Sequence, residues 1–176
     1  IYVSAVFPKM TALCGEIADG IILTRSTLRT APETRNYVAE GAARAGRDAQ
    51  AIELTSLLPT SVGESRDEAL AAMRPGLAFY AGFFPRYNEL IARHGFAEEA
   101  AAVRERWKAG DTAGAQAAVT DAMIDATGVA GTPAQCRERI EAYRSSGLDL
   151  PIISPFARGP DAFGVFERAL RACAPA

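Results

Sequence analysis

The chain has 176 residues, 49% of them hydrophobic and 23% charged, so it can bury a sizeable core and is too apolar for a disordered tail. Its 19 basic and 21 acidic residues leave a formal charge of -2, and no stretch collects Lys and Arg with interleaved aromatics, so no nucleic-acid partner is expected. Cys14, Cys136 and Cys173 form no Cys-x-x-Cys pair and only one His accompanies them, which argues against a disulfide framework and any metal site. No segment approaches the roughly 20 apolar residues of a membrane helix, so no membrane partner is expected and the expected compartment is the cytoplasm.

In chain order, Ile1-Tyr2-Val3-Ser4-Ala5-Val6 opens as a strand. A protein seldom begins in mid-strand, and the expectation is that an N-terminal part lies outside this sequence. Met10, Leu13, Cys14, Ile17 and Ala18 then share one face of an amphipathic helix, with Gly20 expected to close it in the left-handed conformation. Ile21-Ile22-Leu23-Thr24 reads as a short strand buried on both faces. A capping box of Thr30 and Glu33, with Pro32 in the first turn, predicts a second helix to about Gly46. Ile52 to Leu58 predicts a third strand, ended by Pro59.

From Ser65 the pattern turns helical, opened by Ser65 and Glu68 and carrying Leu70, Met73, Leu77, Phe79, Tyr80, Phe83 and Phe84, with Pro75-Gly76 expected to kink or break the helix. Helical pieces follow at Tyr87 to His94, Glu98 to Ala109 and Ala113 to Met123. Thr132-Pro133-Ala134-Gln135 then opens a helix that Gly147 ends, Leu150 to Ser154 is the last strand, and Asp161 caps a final helix to about Cys173.

Strand and helix thus alternate four times, which implies a parallel sheet with right-handed crossovers. Residues 1–64 and 130–176 supply the alternating units and residues 65–129 a helical insertion after the third strand. Two α/β architectures fit: an open doubly wound sheet of four strands, or half of an eightfold barrel whose whole needs about 250 residues. The mid-strand start favours the half barrel. In both, ligands bind beyond the carboxyl ends of the strands.

Candidate site residues are therefore those that end or follow strands. Ser4, Ala5, Phe7, Thr24, Arg25, Ser61 and Arg158 are expected at one rim, with Arg25 and Arg158 as the cations for a phosphate or an acidic substrate and Ser61 as a hydroxyl beside them. Lys9, after Pro8, is a second-rank phosphate candidate. His94 in a last helical turn reads as structural, and Phe79, Tyr80, Phe83, Phe84 and Trp107 read as core. No Gly-x-Ser-x-Gly, phosphate loop or Gly-x-Gly-x-x-Gly is present. A reading of another class is a non-enzymatic doubly wound domain that binds a partner through the Phe79–Phe84 helix.

Several blocks resemble the luciferase-like monooxygenase superfamily, and within it the deazaflavin-dependent reductases of the methylenetetrahydromethanopterin reductase type. They are Ile1 to Ala5 with Pro8-Lys9-Met10, Gly15 to Ile22 with its Ala18-Asp19-Gly20 turn, Glu40-Gly41-Ala42, Ala45-Gly46-Arg47-Asp48, Gly131-Thr132-Pro133 with Cys136-Arg137, and Gly147 to Pro151. The resemblance implies that the chain is the C-terminal half, strands five to eight, of a (βα)8 TIM barrel with a helical insertion between strand seven and its helix. It implies an oxidoreductase that passes hydride between the deazaflavin coenzyme F-420 and a small organic substrate, with FMN as the alternative cofactor. Backbone at Ala5, Val6 and Phe7 would lie along the cofactor and Thr24 would hydrogen-bond it; Phe7 stands where family members usually carry Gly. The family's acid and base residues belong mostly to the other half of the barrel, so no catalytic residue is named. A half barrel exposes sheet edges and apolar faces, so a homo-oligomer or pairing with the other half is expected.

Overall fold

A computed structural model describes residues 1–155 and 161–174. In chain order it has β1 (Tyr2–Ser4), α1 (Pro8–Ile17), β2 (Gly20–Thr24), α2 (Thr30–Arg44), a 3-10 turn at Ala49–Ala51 and β3 (Glu53–Val62). There follow α3 (Arg66–Phe83), α4 (Pro85–Arg93), α5 (Ala97–Lys108), α6 (Thr112–Ala117), α7 (Asp121–Thr127), β4 (Val129–Gly131), α8 (Pro133–Ser145), β5 (Leu150–Pro155) and α9 (Ala162–Cys173). This is the α/β class with a parallel sheet: β1 pairs with β2, β2 with β3 and β3 with β4, all parallel, and β5 also pairs with β3. β1 to β4 lie side by side in chain order, and β5 stands off that path beside β3.

The chain falls into two compact units, residues 1–58 with 138–154 and residues 59–137 with 155–176. In the first, α1 and α2 cross at two glycines. A Cβ on Gly15 would lie 2.4 Å from the Val38 carbonyl oxygen, and one on Gly41 would lie 1.8 Å from that of Ala12. The face α1 buries is accordingly small: Thr11, Ala12, Cys14, Gly15 and Ala18 are buried, while Met10, Leu13 and Ile17 of the expected face are exposed. Helices that approach at glycine leave no room for long side chains, and these turn outward.

Gly20 does not close α1. The helix ends at Ala18 in extended conformation, and Gly20 is the first residue of β2, where the Tyr2 ring lies 2.3 Å from where its Cβ would be. The end of α1 is capped from a distance, since the Arg47 guanidinium donates to the carbonyls of Gly15 (3.0 Å) and Ala18 (2.7 Å). Gly46, with φ +66, makes the turn that delivers it. Thr30 is the first residue of α2 rather than its cap; its hydroxyl accepts from the Thr27 backbone N–H at 2.8 Å, so the expected box with Glu33 does not form. The start of β5 is pinned by Asp149, whose carboxylate accepts from the Leu54 N–H (2.6 Å) and from Arg35, while Arg35 also donates to the Ile52 carbonyl at 2.7 Å.

The strand β3 runs through Pro59 instead of ending there. Its ladder to β2 stops at Leu57 and its ladder to β4 starts at Thr60, so the missing N–H of Pro59 falls between the two. In the second unit, Ser65 caps α3 by accepting from Glu68 N–H at 3.2 Å, and α3 passes unbroken through Pro75. The carbonyl that loses its partner there belongs to Ala71, which is exposed to solvent. The predicted helix from Ala113 to Met123 is two helices, because Thr120 is extended and caps α7 through the Met123 N–H (3.3 Å). Leu70, Met73, Leu77, Ile91, Val103, Val119, Met123 and Ile124 form a core against which Phe96 and Trp107 pack. Thr132 and Gln135 close a reciprocal capping box at α8 (3.0 and 3.5 Å). Asp161 precedes α9 without a side-chain cap; its carboxylate takes Arg168 at 3.0 Å instead.

Candidate cofactor site at the carboxyl edge of the sheet

In the first unit the strands β1 and β2 point their carboxyl ends the same way, with Ser4 opposite Ile22 and Thr24 opposite Leu57. The next residue, Ala5, is buried and continues the ladder through its N–H to the Ile22 carbonyl at 3.3 Å. Val6 and Phe7 follow, both half-buried, and Phe7 takes the N-cap position of α1 before Pro8. Its φ is -122°, extended backbone open to any residue, so nothing in the local geometry calls for glycine there. Ser4 and Lys9 are exposed. The expected residues Ser4, Ala5, Val6 and Phe7 thus run alongside the end of β2.

Thr24 closes β2 half-buried, and Arg25 leaves it with φ +50, the one non-glycine residue with positive φ among the described residues. That conformation costs about 1–2 kcal/mol for a residue with a Cβ, and strain of this kind concentrates at functional turns. Arg25 is also only 3% exposed, an unusual setting for a guanidinium. Ser26 and Thr27 after it are buried. Ser26 Oγ lies 2.8 Å from Ser56 Oγ of β3, and the Ser26 carbonyl accepts from the Tyr143 hydroxyl of α8 at 2.7 Å. Thr55 sends its hydroxyl to the Ile21 carbonyl at 2.8 Å. A band of hydroxyls therefore backs the Arg25 turn.

Ser56 and Tyr143 were not legible as site residues. Ser56 sits in mid-strand, where a polar residue in a buried run was the available signal; Tyr143 lies 117 residues beyond Ser26, in a helix whose pattern gave no cue. Burial raises the Tyr143 phenol above its ordinary pKa, opposed by the nearby Arg139 cation, so it stays a proton donor at neutral pH.

Ser61 lies in the second unit, buried near the end of β3 opposite Ala130, with its carbonyl 3.7 Å from the Cys136 thiol. The residues beyond it, Val62 and Gly63, border a cavity of about 630 Å³ with Glu64, Glu68, Arg137 and Arg171. Arg158 lies outside the described residues. His94 is the C-cap of α4, its backbone N–H bonded to the Leu90 and Ile91 carbonyls. The aromatic group is packed ring on ring, with Phe79 centred 5.5–5.7 Å from Tyr80, Phe83, Phe84 and Trp107, yet Phe83 stays 57% exposed and is not core. Among the described residues no group of His, Cys, Asp and Glu could hold a metal ion, and no helix is long and apolar enough to cross a membrane.

The profile of the luciferase-like monooxygenase family matches residues 1–150. A 5,10-methylenetetrahydromethanopterin reductase of Archaeoglobus fulgidus is 32% identical over 166 residues, 92% of this chain and 49% of that protein. The protein of the same name from Methanolobus tindarius is 30% identical over 150 residues, 84% of this chain and 45% of its own length. The chain thus spans about half the length of the curated relatives it matches. Among solved structures, the coenzyme F-420 dependent tetrahydromethanopterin reductase of Methanopyrus kandleri superposes with a TM-score of 0.80 at 28% identity, over 96% of this chain and 48% of that one. A match across six-sevenths of the residues, on a chain folded as an α/β parallel sheet, places it in the luciferase-like monooxygenase family.

Proposed function

We propose that the chain supplies the cofactor-holding edge of an oxidoreductase that passes hydride between the deazaflavin coenzyme F-420 and a small organic substrate. The relatives named above support the cofactor and reaction class, as reductases whose solved member is described as F-420 dependent. The observation that carries the reading is Arg25, a cation almost fully buried on left-handed backbone at the carboxyl end of β2 and one strand away from Ala5 to Phe7.

The donor set fits such a group. A deazaflavin presents a flat ring with a polar edge and an anionic side chain. Val6 and Phe7 offer half-buried apolar surface, Ser4 and Thr24 offer hydroxyls at the same edge, and Arg25, buried directly after Thr24, is the cation proposed to meet an anion. The cofactor, when bound, supplies the hydride chemistry; the residues of this chain hold and orient it. A charge-assisted hydrogen bond from Arg contributes roughly 1.5–3 kcal/mol, or about ten- to a hundredfold in affinity. Arg25→Ala in the assembled protein is expected to weaken F-420 binding by about that factor in a fluorescence titration. Undiminished binding with folding intact would overturn the assignment.

We further read the alternating units as strands five to eight of a (βα)8 barrel, with residues 65–129 as the insertion and Ser61 and Arg158 as further rim candidates. The half-length match and the chain-order pairing of β1 to β4 support this. So do two apolar stripes at helical spacing that no described residue covers: Met10, Leu13 and Ile17 on α1, and Phe163, Phe166 and Leu170 on α9. In a closed barrel every helix has a neighbour on each side, and a complementary half would supply the missing ones.

A further inference from the structure

Ser26 is tied down twice. Its hydroxyl meets that of Ser56 on β3 at 2.8 Å, and its carbonyl accepts from the Tyr143 hydroxyl of α8 at 2.7 Å. Tyr143 is fully buried, and the Arg139 guanidinium one turn earlier on the same helix stands 4.8 Å from the centre of its ring. These bonds grip the residue directly after Arg25, whose φ of +50 is not the conformation an L-residue takes when free to relax. The direction in which the Arg25 side chain leaves the backbone depends on that conformation.

We propose that Tyr143 is a positioning residue for the cofactor site: with Ser56 it holds the Arg25–Ser26 turn in its left-handed form, and so fixes where the Arg25 guanidinium is presented. This rests on the reading of Arg25 as a cofactor contact. The groups suit the task. The Tyr143 phenol is kept protonated by burial and can donate at any pH in the working range, and its partner is a backbone carbonyl, which does not titrate. The latch therefore holds at constant strength across neutral pH. The tie runs from a crossover helix to a strand-end turn within one unit, so it fixes the turn against the scaffold rather than against a mobile loop.

Tyr143→Phe removes the one donor and keeps the ring. In the assembled protein it is expected to weaken F-420 affinity three- to tenfold, and to have no further effect on affinity once Arg25 is already Ala, because it acts through that side chain. Ile52→Val, in the same unit and away from the turn, is the control: it lowers the melting temperature and leaves affinity unchanged. Equal loss from Tyr143→Phe with Arg25 present or absent would overturn the proposal, as would no loss at all while Arg25→Ala still weakens binding. Should Arg25→Ala itself leave binding unchanged, the cofactor reading falls and this one with it. Ser56→Ala, which cuts the second tie without touching α8, repeats the test if Tyr143→Phe does not fold; its failure to weaken affinity would count equally against the latch.

Discussion

Arg25 and Cys136 are both buried polar residues; the proposed reading gives Arg25 a role at the cofactor edge, whereas the surroundings of Cys136 leave it inert. Arg25 carries a permanent charge at a strand end, on backbone that must be held in place. The Cys136 thiol points at two carbonyls, of Ser61 and Gly131, and burial, with a smaller contribution from nearby Cys173, pushes its pKa from the usual value near 9 up to about 12. It is therefore a neutral thiol at working pH, and brief treatment of the native protein with iodoacetamide at pH 8 is expected to spare it. The same shift has a thermodynamic sign. Between about pH 9 and 12 the unfolded chain releases this proton while the folded one keeps it, so stability is complete below about pH 9 and declines as pH rises toward 12. Cys14, Cys173 and Tyr143, whose pKa values burial also raises, act in the same direction. Urea midpoints measured across that range are expected to fall, and to fall less for Cys136→Ala; identical slopes would contradict the assignment.

Among the elements, the residues that carry the family resemblance turn out to be joints of the fold. Gly15 and Gly41 let α1 and α2 touch, Arg47 caps α1, and Asp149 anchors the start of β5 to Leu54. Placing a Cβ on Gly41 would force it within 1.8 Å of the Ala12 oxygen. Gly41→Ala is thus expected to cost about 1–3 kcal/mol and lower the melting temperature by several degrees; an unchanged midpoint would show that the crossing is looser than described. This close crossing also explains what was readable in the sequence. Strand–helix alternation came through because the long elements have their own period and start signals, as Thr132 and Gln135 at α8 illustrate. The facing of α1 did not, because hydrophobic period picks out Met10, Leu13 and Ile17 while the buried side is set by a neighbour that admits only small residues. The three-residue β4 is too short to show a period, and the passage of β3 through Pro59 depends on which partner strand reaches that point. For the site, Thr24 and Arg25 followed from strand ends; Tyr143 joins them only through the tertiary fold.

For the molecule as a whole, the chain matches about half of each relative, and among the described residues β1 is an edge strand whose ladder is to β2. Exposed edges and apolar helix faces of this kind are covered in stable proteins. Light scattering is expected to give an assembly larger than one chain whenever the protein is well behaved, and a stable, non-aggregating monomer of these residues alone would contradict the half-barrel reading. Cofactor identity is the central point at this scale. An absorbance titration of the assembled protein with coenzyme F-420 and, separately, with FMN is the direct test: saturable binding of F-420, weakened by Arg25→Ala, is predicted, and saturable binding of FMN with none of F-420 would contradict it.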